Sequence, residues 1–183
     1  MTIQKILSGA LLCFLLIFSA SCEKEKDIEK DTDLVDVNLK DGAAVYRLFA
    51  AQFVHIGSVT ITQNFGVIMV TYETTGNWFI ERTHFHVEYD WNDIPQSIDG
   101  DPLIYDFEYQ NTHSPVVQSF SIMLNADYFG RFYIAAYACV EEYNSDCHCE
   151  EAWGEGTSFP GTSWGMYIHF YPYNGKNPQI HNY

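Results

Sequence analysis

The stretch IGSVTITQNFGVIMVTYETTGN, residues 56–77, sets the fold class. Val59, Ile61, Val67, Met69 and Val70 stand among threonines and a tyrosine in short runs of period two. Gly57, the Asn64-Phe65-Gly66 turn and the Thr75-Gly76-Asn77 turn punctuate them. Side chains alternate faces along a strand, so this pattern fits strands with one buried face. Runs of β-branched and aromatic residues bounded by turn residues read the same way. Outward from this stretch, the same texture predicts strands near 44–52, 56–63, 66–74, 78–89, 115–124, 130–143 and 164–171, and a shorter one near 147–153. Nothing beyond the first residues sustains helical periodicity. About seven or eight strands with turns between them imply an antiparallel β-sandwich, with a jelly roll or closed barrel as the alternative.

The chain has 183 residues and 47% hydrophobic content, which suits one domain. It carries 9 basic and 24 acidic side chains, a net charge of −15. Such a chain lacks the basic face that a nucleic acid backbone requires. Its first residues read as an address. Lys5 is followed by an apolar run, Ile6 to Phe18, broken only by Ser8 and Gly9. This is the length of a signal-peptide core and too short to span a bilayer. Ser19, Ala20, Ser21 and Cys22 then resemble the lipobox of bacterial lipoproteins, with Ser19 where leucine is usual. The resemblance implies cleavage before Cys22, a diacylglycerol on its sulfur, an acylated (palmitate-bearing) amino terminus and attachment to a membrane. Residues 23–41, EKEKDIEKDTDLVDVNLKD, cannot bury enough surface to offset their ordering entropy and read as a flexible acidic tether. An acidic run after a lipidated cysteine also looks like the export signal of Bacteroidetes surface lipoproteins. The expected location is the outer membrane, either surface-exposed or periplasmic.

Further along, the residues resemble a family. The order is Gly57-Ser58-Val59-Thr60-Ile61, Val70-Thr71-Tyr72, Thr74-Thr75-Gly76, Trp78, Glu81 and Thr83-His84. Tyr133-Ile134-Ala135-Ala136, Glu151-Ala152-Trp153-Gly154-Glu155-Gly156 and Trp164 follow. This succession is similar to a β-rich domain of secreted and surface lipoproteins of Bacteroidetes. The resemblance covers about 43–171 and implies fold and location, without an activity. Cys147, Cys149 and the acidic 90–108 loop depart from its pattern.

Four constellations stand out. On a strand, His84, His86 and Glu88 share one face, a donor set that suits zinc or iron; an exposed polar face opposite Phe85, Val87 and Tyr89 explains the same alternation. The long connection 90–114, DWNDIPQSIDGDPLIYDFEYQNTHS, offers Asp90, Asp93, Asp99 and Asp101 as hard oxygen ligands for calcium, though not at EF-hand spacing. Loops of this length are usually functional or mobile. Among Cys139, Cys147 and Cys149, a hairpin about Asn144 would bring Cys139 opposite Cys149 or nearly so, giving one disulfide, from Cys139 to Cys147 or Cys149, and one free thiol. A Cys-His-Cys metal cluster with Glu150, or no disulfide at all, are the alternatives. Finally, Trp91, Tyr105 and Tyr109 are aromatic groups in or beside the acidic loop, suited to a sugar ring or a protein partner.

The chain shows no nucleophile elbow, phosphate loop, dinucleotide fingerprint or zinc-protease motif, so enzyme activity is not the leading expectation. The domain plan is a signal peptide at 1–21, Cys22 and tether at 22–42, a β-domain at 43–173 and a disordered tail at 174–183. The leading expectation is a binding module for a glycan or a protein partner. A structural or assembly role in the outer membrane, and a metal-dependent enzyme centred on His84 and His86, are the competing expectations.

Overall fold

A computed structural model describes residues 43–64, 67–125, 131–143, 145 and 149–171. The expected signal peptide, Cys22, the tether, Cys147 and the 174–183 tail lie outside the described residues. The fold is all-β and antiparallel. Its strands are β1 (Ala43–Ala50), β2 (Val54–Asn64), β3 (Val67–Thr74), β4 (Trp78–Glu88), β5 (Tyr109–Val117), β6 (Ser119–Asn125), β7 (Phe132–Glu142), β8 (Glu150–Gly154), β9 (Thr157–Ser158) and β10 (Met166–Phe170). The sheet order is β5-β4-β7-β8-β1-β2-β3-β6, with β10 paired to β7 and β9 to β10. The strands form one sheet, curled into a nearly closed, barrel-like form.

The two ends of that sheet, β5 and β6, are consecutive lengths of one chain that bends at Gln118. Val117 pairs with Ile80 of β4, and Ser119 pairs with Glu73 of β3. The bend is fixed by hydrogen bonds. The Thr74 N–H donates to the Gln118 carbonyl (2.9 Å), and the Gln118 side-chain amide donates to the carbonyls of Gly76 (3.0 Å) and Trp78 (3.3 Å). Residues 109–114, expected in the long loop, are therefore strand. Their polar sequence hid this, because their order comes from backbone pairing with β4 and not from an apolar face. Pro115 sits between the Ile80–Val117 and Arg82–Thr112 pairs, where the ladder is already interrupted.

Gly57, read as punctuation at the start of the expected 56–63 strand, lies well inside β2. It is needed for close approach: a Cβ there would collide with the Glu73 carbonyl of β3. A second local irregularity falls in β4. The ladder shifts between Ile80 and Arg82, so Ile80 and Phe85 both face the interior despite their odd spacing. Beyond the shift, Arg82, His84 and His86 lie opposite Cys139, Tyr137 and Ala135 of β7.

Strand β7 is buried on both faces. Phe132, Ile134, Ala136, Ala138 and Val140 join the interior core with Leu48, Val59, Ile61, Val70, Tyr72 and Phe85. Tyr133, Ala135, Tyr137 and Cys139 join a second apolar cluster outside the barrel, with Ile94, Phe107, Trp153, Phe159 and Tyr167. On the other flank, Arg47 of β1 forms a two-pronged ion pair with Glu155 (Nη2–Oε1 2.6 Å, Nε–Oε2 2.9 Å), just past β8.

Two predictions test this packing. Gly57→Ala is expected to cost about 2–3 kcal/mol in urea unfolding, the scale of an overpacked site. Gly76→Ala, at φ 63° but with open space around its Cα, is expected to cost about 1 kcal/mol. The second concerns His113, whose ring packs on Phe120 (centroids 4.4 Å) and whose Nε2 is buried without a hydrogen-bond partner. Burial pushes its pKa below the ordinary imidazole value of 6.5. A depressed folded-state pKa means that its contribution is complete above about 6.5 and is lost as pH falls through the folded value. The melting temperature is expected to fall between pH 7.5 and pH 5, and His113→Phe to fall less.

Candidate functional site

The outer cluster is roofed by the connection from Asp90 to Glu108. Ile94 and Phe107 from this connection are buried, each contributing about 2 kcal/mol. The Trp91 ring lies half-buried and parallel to Tyr167 (centroids 5.5 Å, planes 5° apart). Beneath the roof the rings are continuous. Tyr167 meets Phe159 (5.1 Å), and Trp153 meets Phe159 (6.2 Å), Phe107 (6.4 Å) and Tyr137 (5.2 Å). Edge-to-face and offset pairs of this kind add to the area term.

Polar groups fix the roof in register. His84 Nδ1 lies 2.7 Å from the Ile104 carbonyl, which can only accept, so Nδ1 carries the proton. The Glu108 N–H donates to His86 Nδ1 (3.1 Å), so in His86 the proton sits on Nε2, which donates to Glu88 (3.2 Å). His84 and His86 thus share a face, as their spacing predicts, and both imidazoles are buried and used to hold the roof. Glu88 is half-buried beside them. Among the described residues, no three of the candidate metal ligands His84, His86, Glu88, Asp90, Asp93, Asp99 and Asp101 bring their donor atoms within 4.8 Å of one another.

The aspartates have separate roles. Asp90 caps the 3₁₀ turn Trp91–Asp93, accepting from the Asn92 backbone N–H (3.0 Å) and side chain (2.8 Å), bonds that lower its pKa. Asp101 clamps the roof to the 160–163 turn by accepting from the Ser163 N–H (2.7 Å), which lowers its pKa too. Gly161 allows this approach, since a Cβ there would strike Asp101. Asp93 and Asp99 are exposed. The Asp101 clamp carried no sequence signal, because it uses a backbone group that the fold brings close, whereas the Asp90 cap is local and reaches only two residues on.

The three aromatic candidates part company here. Trp91 anchors the roof, and Tyr109 packs toward the interior against Phe85 (5.8 Å). Tyr105 is 71% exposed, its ring edge-on to His84 (5.6 Å). The Gln110 amide holds the turn beneath it by donating to the carbonyls of Tyr105 (2.7 Å) and Phe107 (2.9 Å). Two further apolar side chains, which sequence reasoning missed, stand out from the same connection. They are Ile98, fully exposed beside Gly100 at φ 87°, and Leu103.

Cys139 and Cys149 form a disulfide, one of the two expected pairings, with Cα atoms 4.7 Å apart across the β7–β8 hairpin. Glu81 and Arg82 lie beside the sulfurs. Set against known proteins, the chain matches no family model, no curated protein and no solved structure.

The roof is a packed element, which leads to a direct test. Trp91→Ala is expected to lower the melting temperature by several degrees, equivalent to about 2 kcal/mol, while Tyr105→Ala leaves it within a degree or so. Differential scanning calorimetry of both variants checks this.

Proposed function

We propose that this chain is a cell-envelope lipoprotein, anchored through Cys22, whose β-domain binds a glycan or protein partner at the roof formed by residues 90–108. The observation that carries the reading is the contrast within the roof. Buried Ile94 and Phe107, stacked Trp91 and the two histidines hold one conformation, while Ile98, Leu103 and Tyr105 point into water. Side chains pre-set in an exposed position bind without the ordering cost that a mobile loop incurs. Tyrosine and branched aliphatic groups supply contact area, and the carboxylates of Asp93, Asp99, Asp106 and Glu108 supply the polar rim. The lipobox-like Ser19-Ala20-Ser21-Cys22 and the acidic tether support the anchor and the envelope location. The resemblance to Bacteroidetes surface lipoprotein domains supports the same location.

One observation favours the assembly reading as a second choice. Among the described residues, Ile168–Phe170 of β10 pair with β7 on one side and with no strand on the other, leaving a short edge for another chain. No observation favours the metal enzyme, since the rings of His84 and His86 are engaged in holding the roof.

The test is binding of the full chain to a glycan array and to cross-linkable surface proteins, with and without calcium. Tyr105→Ala and Ile98→Asp are each expected to weaken binding about 30-fold, the scale of an interface hot spot, with unchanged melting temperature. Binding that survives both changes overturns the roof as the site. Independently, Cys22→Ser is expected to move the protein out of the membrane fraction and abolish labelling by a palmitate analogue.

A further inference from the structure

We propose that Cys139–Cys149 is a thiol–disulfide exchange site, and that its co-reactant is a thiol or dithiol presented from solution. The inference is independent of the ligand-binding reading and rests on the groups around the two sulfurs. Cys139, on β7, is fully buried, and Cys149, just before β8, is partly exposed. The ladder shift in β4 sets Arg82 opposite Cys139. Its Nη2 lies 3.0 Å from Cys149 Sγ and 3.3 Å from Cys139 Sγ. Its Nε is buried without a hydrogen bond and lies 3.7 Å from Glu81 Oε1. The other Glu81 oxygen lies 3.4 Å from Cys139 Sγ. The Tyr137 hydroxyl stands 4.0 Å from Cys149 Sγ.

These neighbours suit the reduced pair better than the oxidised one. A disulfide sulfur is a weak acceptor, so a guanidinium aimed at it gains little. A thiolate in the same place accepts a charge-assisted bond, and such bonds are about twice as strong. A carboxylate beside a disulfide has no proton to accept, whereas beside a Cys139 thiol it has one. Cationic neighbours lower thiol pKa values and favour the reduced state. A purely structural disulfide needs neither group.

A thiolate of the co-reactant attacks Cys149 Sγ, the accessible sulfur. The S–S bond breaks, and its electron pair leaves on Cys139 as a thiolate held by Arg82. A second thiolate of the co-reactant then attacks the sulfur now joined to Cys149 and releases the Cys149 thiolate. The protein gains two electrons and, on protonation, two protons. The co-reactant dithiol loses both and becomes a disulfide. In reverse, Glu81 takes the proton of the Cys139 thiol, and Cys139 then resolves a mixed disulfide on Cys149. A metal is the competing occupant, because Glu81, Cys139 and Cys149 bring their ligand atoms within 4.8 Å of one another. The positive Nη2 of Arg82 in contact with both sulfurs opposes a cation there.

The experiment uses the full chain, with each cysteine followed by alkylation and peptide mapping. In the reduced protein at pH 7, Cys149 is expected to react with iodoacetamide about tenfold faster than Cys147 of the same chain. In glutathione buffers, Arg82→Gln is expected to move the equilibrium about tenfold toward the disulfide. Glu81→Gln is expected to slow loss of glutathione from the mixed disulfide about fivefold and to leave its formation unchanged. Cys149 reacting no faster than Cys147 overturns the proposal without any variant. So does an equilibrium unchanged by Arg82→Gln in a protein with wild-type circular dichroism. Stoichiometric zinc binding by the reduced chain, lost in Glu81→Ala, overturns it in favour of a metal site.

Discussion

The residues of β7 from Phe132 to Val140 leave no side chain exposed, and a strand with two apolar faces needs a layer against each. The interior face is served by the curled sheet itself. The other face faces outward and has to be covered by something that is not a strand of the barrel. The 90–108 connection, together with Phe159 and Trp164 from the segment before β10, is that cover, and its shape follows from the task. Ile94 and Phe107 descend into the aromatic layer, Trp91 lies flat on Tyr167, and the polar remainder stays on top. The alanines at 135, 136 and 138 keep β7 thin enough for both layers to approach.

Much of this was legible in the sequence. The period-two runs of β2 and β3 announce half-buried strands, and the hairpin after Cys139 brings Cys149 within bonding range. The alternation of His84, His86 and Glu88 places them on one face. What the alternation does not reveal is that their ring nitrogens meet backbone groups of Ile104 and Glu108, which come from a segment with no regular pattern. The unbroken apolar run FYIAAYACV could have shown that β7 has two covers, and the apolar Ile94 and Phe107 inside an acidic loop could have marked one of them. The shift in β4 leaves no trace in composition, so the approach of Arg82 to two cysteines could only be seen in three dimensions.

The roof and the disulfide share the same outer face of β4 and β7. His84, Tyr137 and Cys149 form a run in which Tyr137 touches both the histidine that holds Ile104 and the sulfur of Cys149. Burial pushes the Tyr137 phenol up to about 12, so at neutral pH it remains an O–H donor to whatever it faces. The surface that presents Tyr105 therefore rests on a foundation that adjoins the sulfur pair.

The bend at Gln118 also governs how this protein meets its neighbours when crowded. In an ordinary open sheet the two terminal strands are separate ribbons, and each offers its unpaired amides to other copies. Here both terminal strands are arms of one chain pinned at their junction, so neither can peel outward without dragging the other. The path of the backbone thus couples the two terminal strands, and opening either one toward another chain has to disturb the Gln118 hydrogen bonds.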